Sequence, residues 1–191
     1  MPVNPLEIIQ ENRHIMHLMM QDDSLMLQLE SCIHRCVETF QKGGQVLFCG
    51  NGGSAADAQH LAAELSCRFY EDRAPLNAEA LHVNTSYLTA AANDYNYEMV
   101  FARLVEAKGR KGDVLIGLTT SGASKNVLNA FEKANEMGMH TLAFTGRTGG
   151  EIKGISSVCL QVPSRDTPRV QEAHILLGHI LCAAIEERIF Q

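Results

Sequence analysis

A chain of 191 residues, 46% hydrophobic and 20% charged, is long enough to close one core and is expected to form a single domain over residues 1–191. A formal net charge of −6 leaves no surplus of Lys and Arg to neutralise phosphates, which argues against a nucleic-acid partner. No apolar run approaches the roughly 18 residues of a membrane span, and the start lacks a basic, apolar, cleavable pattern; the expectation is a cytoplasmic protein with no membrane partner.

Residues 1–42 predict a helical pair used in packing or oligomerisation. Ile8/Ile9, Ile15/Met16 and Met19/Met20 recur at helical spacing, and so do Met26, Leu29, Ile33, Cys36 and Phe40, with Asp22-Asp23-Ser24 between the two sets. The second set steps by three and four residues, a narrow seam suited to another helix of the same or a different subunit. After Gly43-Gly44, strands alternate with helices. The expected strands are Gln45–Cys49, Ala80–Val83, Val114–Thr119, Thr141–Thr145 and Val158–Val162, with helices starting near Ser54, Ser86, Glu98, Ser124 and Pro168. Such alternation predicts an α/β fold: a three-layer parallel sheet of about five strands with helices on both faces. The stretch Tyr70 to Pro75 reads as a polar surface loop. The last helix, roughly Pro168 to Ile189, is apolar around most of its circumference and must be buried in the core or between subunits. The six cysteines form no C-x-x-C pair and read as reduced packing residues.

Two turns carry the chemistry. Gly50-Asn51-Gly52-Gly53-Ser54 joins a strand to a helix, where glycines admit a ligand close to the backbone and helix-start amides attract oxyanions. On that helix His60 and Glu64 stand four residues apart and share one face, as an acid/base or metal pair. The second turn, Thr119-Thr120-Ser121-Gly122-Ala123-Ser124, presents hydroxyls and amides that can surround a phosphate. Neither turn has the P-loop or dinucleotide spacing, so a phosphorylated small molecule fits better than a nucleotide. In parallel sheets ligands sit at the carboxyl ends of strands, so both turns can face one crevice.

The order and spacing of Cys49-Gly50-Asn51-Gly52-Gly53-Ser54, His60 with Glu64, Ala92-Asn93-Asp94, Thr119 to Ser124, and Arg169-Val170-Gln171-Glu172 with His174 and His179 resemble the sugar isomerase (SIS) fold, which is flavodoxin-like. Within it they resemble the phosphoheptose isomerases, over nearly the whole chain. The resemblance implies conversion of sedoheptulose 7-phosphate to D-glycero-D-manno-heptose 7-phosphate, the first step toward activated heptose for lipopolysaccharide or another surface glycan. It further implies a homotetramer with active sites at subunit interfaces, and one zinc per subunit on His60, Glu64, Gln171 and His179. Substrate contacts would come from Asn51, Gly52, Gly53, Glu64, Asn93, Asp94, Thr119, Thr120, Ser121, Ser124 and Gln171.

Aldose–ketose exchange needs a base for the proton on the carbon beside the carbonyl and an acid to serve the oxygens. Glu64 suits the first task and His179 the second. Since the resemblance also gives both residues to the metal, either zinc positions them or it fills the site when substrate is absent. Pro168 departs from the family pattern, in which an acid can precede the Arg169 position; Thr119 replaces a frequent serine and keeps the hydroxyl. His174 is expected to be buried or to support the ligands from behind. A rival reading is a non-catalytic SIS protein that binds the bacterial replication initiator, and Glu64 is the residue that tells the two apart. A sugar-phosphate-sensing SIS module is a third, disfavoured because no DNA-binding domain accompanies it.

Overall fold

The computed structural model describes residues 3–191. Helices α1 (Pro5–Met20) and α2 (Asp23–Gln41) lead into β1 (Val46–Gly50), α3 (Gly53–Ser66), β2 (Ala78–Ala80) and α4 (Thr85–Asp94). A 3₁₀ turn (Tyr97–Met99) opens α5 (Val100–Lys108), followed by β3 (Val114–Thr119), α6 (Lys125–Glu136), β4 (His140–Thr145), β5 (Val158–Gln161) and α7 (Thr167–Phe190).

The five strands form one parallel sheet in the order β2-β1-β3-β4-β5. The strands alternate their side chains across it. Val46, Phe48, Ile116, Leu118 and Phe144 face α1, α2, α3 and α7, while Leu47, Cys49, Leu115 and Ala143 face α4, α5 and α6. Side chains of β1 and β3 are buried on both faces, which explains why these strands read as unbroken apolar runs. Strand order reverses at β1, with β2 on one side and β3 on the other; the carboxyl ends of β1 and β3 therefore diverge into a crevice.

The structure refines four sequence expectations. The edge strand is Ala78–Ala80 rather than Ala80–Val83: it pairs with β1 from Val46↔Ala78, and Asn84 already caps α4, leaving His82 and Val83 in the turn between. The helix expected near Glu98 starts at Val100, after the Asn96-capped 3₁₀ turn. Of the expected α2 seam, Leu29, Ile33 and Cys36 are buried and Phe40 half-buried within this same chain, against α7 and β5, while Met26 is exposed and Leu25 and Cys32 fill the face in its stead. Finally, the burial expected of α7 in the core or between subunits is not completed within one chain, where Leu176 and Ile180, one turn apart, are each 41% exposed. All six cysteines are free, and all but Cys67 are buried.

Candidate active site

The β1–α3 turn is built around backbone approach. Gly52 has φ +57 and ψ −124, a region costly for any residue with a Cβ, although open space surrounds it. A Cβ on Gly53 would stand 2.8 Å from the Gln171 amide, so that side chain of α7 lies directly on the turn and reaches Ser54 Oγ at 3.3 Å. No side chain caps the first turn of α3; the Ser54 and Ala55 N–H groups donate to the Asn51 and Gly52 carbonyls at 3.1 Å each, and the Gly53 amide is left to face a ligand.

The β3–α6 turn is arranged the same way on the opposite face. The Thr119 hydroxyl is buried and meets Ser124 Oγ at 3.1 Å; Ser124 accordingly gives no side-chain cap to α6, and that helix start is open too. Ser121 Oγ accepts from Ala123 N at 3.2 Å, while Thr120 and Ser121 edge the turn. A Cβ at Gly122, φ +68, would fall 2.1 Å from Gly149 O, so the 146–150 segment backs this cradle.

The two turns are joined side chain to side chain. Asn51 and Asn126 exchange reciprocal amide hydrogen bonds of 2.8 Å each, and the Tyr97 hydroxyl donates to Asn51 Oδ1 at 3.1 Å. Neither Asn126 nor Tyr97 stood out in the sequence, where an asparagine one residue into a helix signals nothing in particular. Asn93 and Asp94, expected to meet substrate, end α4 and are exposed; Asn93 Nδ2 donates to Asp94 Oδ1 at 2.9 Å. They reach neither turn by a hydrogen bond, and the 3₁₀ turn that follows them brings Tyr97 to Asn51.

Along α3, His60 and Glu64 share a face as their spacing requires, with His60 Nε2 3.4 Å from Glu64 Oε1. From α7, His179 Nε2 comes to 2.9 Å from His60 Nε2, one ring donating and the other accepting. Close approach of the two helices is a glycine effect: a Cβ on Gly178 would lie 2.5 Å and 2.6 Å from the Leu61 methyls. A carboxylate the sequence did not flag stands nearby. Asp57 Oδ2 is buried without a hydrogen-bond partner, and burial raises its pKa against the opposing pull of His60 and His179. Three of the four expected metal donors thus gather, and Gln171 stands off at the glycine turn. Around a tetrahedral zinc with bonds of about 2.0–2.1 Å, donors stand roughly 3.3 Å apart. The His60–Glu64 spacing agrees and the His60–His179 spacing is tighter; two imidazoles and a carboxylate are donors that zinc takes. Among the described residues no three His, Cys, Asp or Glu side chains close into a cage, since His60 meets the other two in sequence along a chain.

Pro168 sits in the first turn of α7 after Asp166, where its missing N–H is no loss. His174 is fully buried: both ring nitrogens lack a hydrogen-bond partner, its ring is edge-on to Phe144, and burial drives its pKa down to about 4 against a weak contact with the Thr145 backbone. It is therefore a neutral core residue. A cleft of about 580 Å³ lined by Lys42, Gln45, Glu79, Lys108, Arg110 and Asp113 lies at the other end of the strands. Its cations sit where α2 and α5 end and answer the helix dipoles there.

Residues 11–146 match the family model for the SIS domain. The chain is 57% identical to a phosphoheptose isomerase of Helicobacter pylori (strain P12) over 86% of its own length and 85% of the relative's, and 49% identical to one of Burkholderia pseudomallei (strain 1710b) over 95% and 92%. It belongs to the phosphoheptose isomerase family. Among solved structures, the phosphoheptose isomerase of Neisseria gonorrhoeae superposes with a TM-score of 0.89 at 40% identity, covering 95% of this chain and 96% of that one. That of Francisella tularensis does so with 0.88 at 34% identity, covering 97% and 100%. The chain is thus a sugar-phosphate isomerase, and the parallel five-stranded sheet is the family fold.

Proposed function

We propose that this isomerase interconverts sedoheptulose 7-phosphate and D-glycero-D-manno-heptose 7-phosphate through an enediolate, with Glu64 as base and His179 as acid/base. The observation that carries the reading is the meeting of His60, Glu64 and His179 across α3 and α7, beside two uncapped helix starts tied by Asn51 and Asn126. The glycine turn and the hydroxyls of Thr120, Ser121 and Ser124 hold the phosphate and sugar oxygens, with Asn51 and Gln171 beside them. Thr119, buried behind the turn, keeps Ser124 turned from the helix start.

Glu64 takes the proton on C1 of the ketose, the C–H electron pair becomes the C1=C2 bond, and the oxygen on C2 is protonated from the imidazole of His179. Return of the carboxyl proton to C2, with loss of the proton on the C1 oxygen to His179, leaves the aldehyde. Asp57 Oδ2, buried without a hydrogen-bond partner, stands beside these groups. His60, Glu64 and His179 would hold one zinc per subunit, with the Gln171 amide as fourth donor only on turning from the glycine turn toward them; when bound, the zinc would supply positive charge near the enediolate oxygens.

Exposed Leu176 and Ile180 on α7, and Leu6 and Ile9 on α1, support assembly into a homotetramer whose subunits complete one another's sites. Among the described residues no helix is long and apolar enough to cross a membrane, in keeping with work in the cytoplasm on a precursor of activated heptose. The test is conversion of sedoheptulose 7-phosphate by the parent and by Glu64→Gln. Turnover by the parent with loss in a folded Glu64→Gln is expected. Unchanged turnover would remove Glu64 as base, and an inert parent with its metal restored would favour the initiator-binding reading.

A further inference from the structure

The two reacting side chains come from different helices, so something besides each helix must fix how they sit together. After α3 the chain runs through residues 67–74, which take in most of the Tyr70 to Pro75 stretch expected to be a polar surface loop. The loop is exposed along most of its length and also holds a buried ion pair: Arg73 Nε donates to Glu186 Oε2 at 2.9 Å, and both side chains are 3% exposed. Glu186 also accepts the backbone N–H of Phe69 at 3.1 Å, of Tyr70 at 2.8 Å and of Glu71 at 3.0 Å. Burial disfavours its charge, yet these donors and the guanidinium hold its carboxyl below the usual range.

The other edge of the guanidinium turns to α3. Arg73 Nη2 donates to Glu64 O at 2.9 Å, and Nη1 donates to Leu65 O at 2.7 Å, Cys67 O at 3.3 Å and Ala74 O at 3.1 Å. A helix end leaves its last carbonyls without partners, and a cation there both bonds them and opposes the dipole. One of the carbonyls taken is that of Glu64 itself. On the α7 side, Glu186 lies two turns beyond His179 on the same face. The loop it fastens presents Phe69, whose ring stands 5.8 Å from the His179 ring at 35°. One pair therefore reaches the base through its main chain and the imidazole through a ring tilted against it.

We propose that Arg73 and Glu186 form a positioning unit for the reaction, fastening the 67–74 loop between α3 and α7 so that Glu64 and His179 keep their mutual geometry; this rests on the roles given to those two residues above. A buried ion pair adds little stability over an apolar pair of the same shape, so its seven hydrogen bonds to loop and helix fix orientation more than they add cohesion. A displacement of about 1 Å at a reacting pair can lower turnover by as much as 100-fold.

The test uses the full chain with sedoheptulose 7-phosphate, comparing the parent with Arg73→Lys, Glu186→Gln and Phe69→Leu, each checked for helicity, melting and assembly size at the assay temperature. The expected result is a fall in kcat of about tenfold or more for Arg73→Lys and Glu186→Gln, with KM within about threefold because the phosphate cradles lie on other turns. Phe69→Leu keeps the ion pair whole and is expected to lower kcat severalfold with no change in melting. Parental kcat in a folded Arg73→Lys or Phe69→Leu, or kcat loss that merely follows the unfolded fraction, would overturn the proposal. An inert parent would instead sink the isomerase roles on which it rests, an outcome visible before any variant is measured.

Discussion

Gly178 sits one residue before His179 in the middle of α7, where glycine is a poor helix former; alanine there should stabilise the helix by about 1 kcal/mol on propensity alone. The contact with α3 reverses that expectation. The added Cβ would lie 2.5, 2.6 and 3.1 Å from Leu61 Cδ1, Cδ2 and Cγ, where ordinary carbon contacts are about 3.5–4.0 Å, so the methyl overlaps by roughly 1 Å. Leu61 is fully buried against the sheet and has no free direction in which to retreat. Overpacking of this kind costs about 1–3 kcal/mol, giving a net loss of about 0–2 kcal/mol once propensity is subtracted. Activity is the sharper readout. Parting the helices by about 1 Å stretches the 2.9 Å His60–His179 contact beyond hydrogen bonding, and turnover should fall on the order of 10- to 100-fold. Gly178→Ala, Leu61→Val and the double variant, compared by chemical denaturation at fixed protein concentration and by initial rates, should be non-additive, with the smaller valine restoring part of the lost rate. A Gly178→Ala protein that is about 1 kcal/mol more stable with parental turnover would show that the helix gap does not set the site.

Three further outcomes follow from the site and its surroundings. Gly52→Ala has room for its methyl, so its cost of about 1–3 kcal/mol should arise from backbone strain at φ +57 and appear as lower denaturation midpoints together with weaker substrate binding. Ser121→Ala should weaken sugar-phosphate affinity by about 3- to 30-fold with little change in melting, since its hydroxyl lies at the exposed edge of the turn; calorimetric titration with no change would remove it from the phosphate site. His174 has a folded pKa near 4, below the ordinary 6.5, so the unfolded chain binds the proton more readily. Its neutral, buried state is fully compatible with folding above pH 6.5, and stability falls as pH drops from 6.5 toward 4, by about 3 kcal/mol in all. His174→Phe should flatten that part of the stability profile measured by denaturation across pH; an unchanged profile would assign the acid sensitivity elsewhere.

Much of this molecule could be read in advance because its signals are local. Strand β1 shows as an apolar run, the glycines after it as a turn, and His60 with Glu64 as one helical face, all within twenty residues of chain. What could not be read depends on contacts between segments far apart. Arg73 and Glu186 are 113 residues apart, and in sequence nothing pairs the one, in a polar stretch, with the other, near the end of an apolar helix; only the fold makes them a buried pair. Asn51 and Asn126 likewise meet across 75 residues to join two turns that separately resemble ordinary helix starts. The apolar circumference of α7 leaves the same kind of question open: hydrophobicity shows that Leu176 and Ile180 seek cover, but not whether one chain provides it. The same reasoning shows why the reacting groups are divided between α3 and α7. Spacing on one helix can present two donors, as with His60 and Glu64, yet a third must come from another element. Its approach is then set by whatever holds the helices together, here a missing side chain at Gly178 and the buried charge pair beyond it.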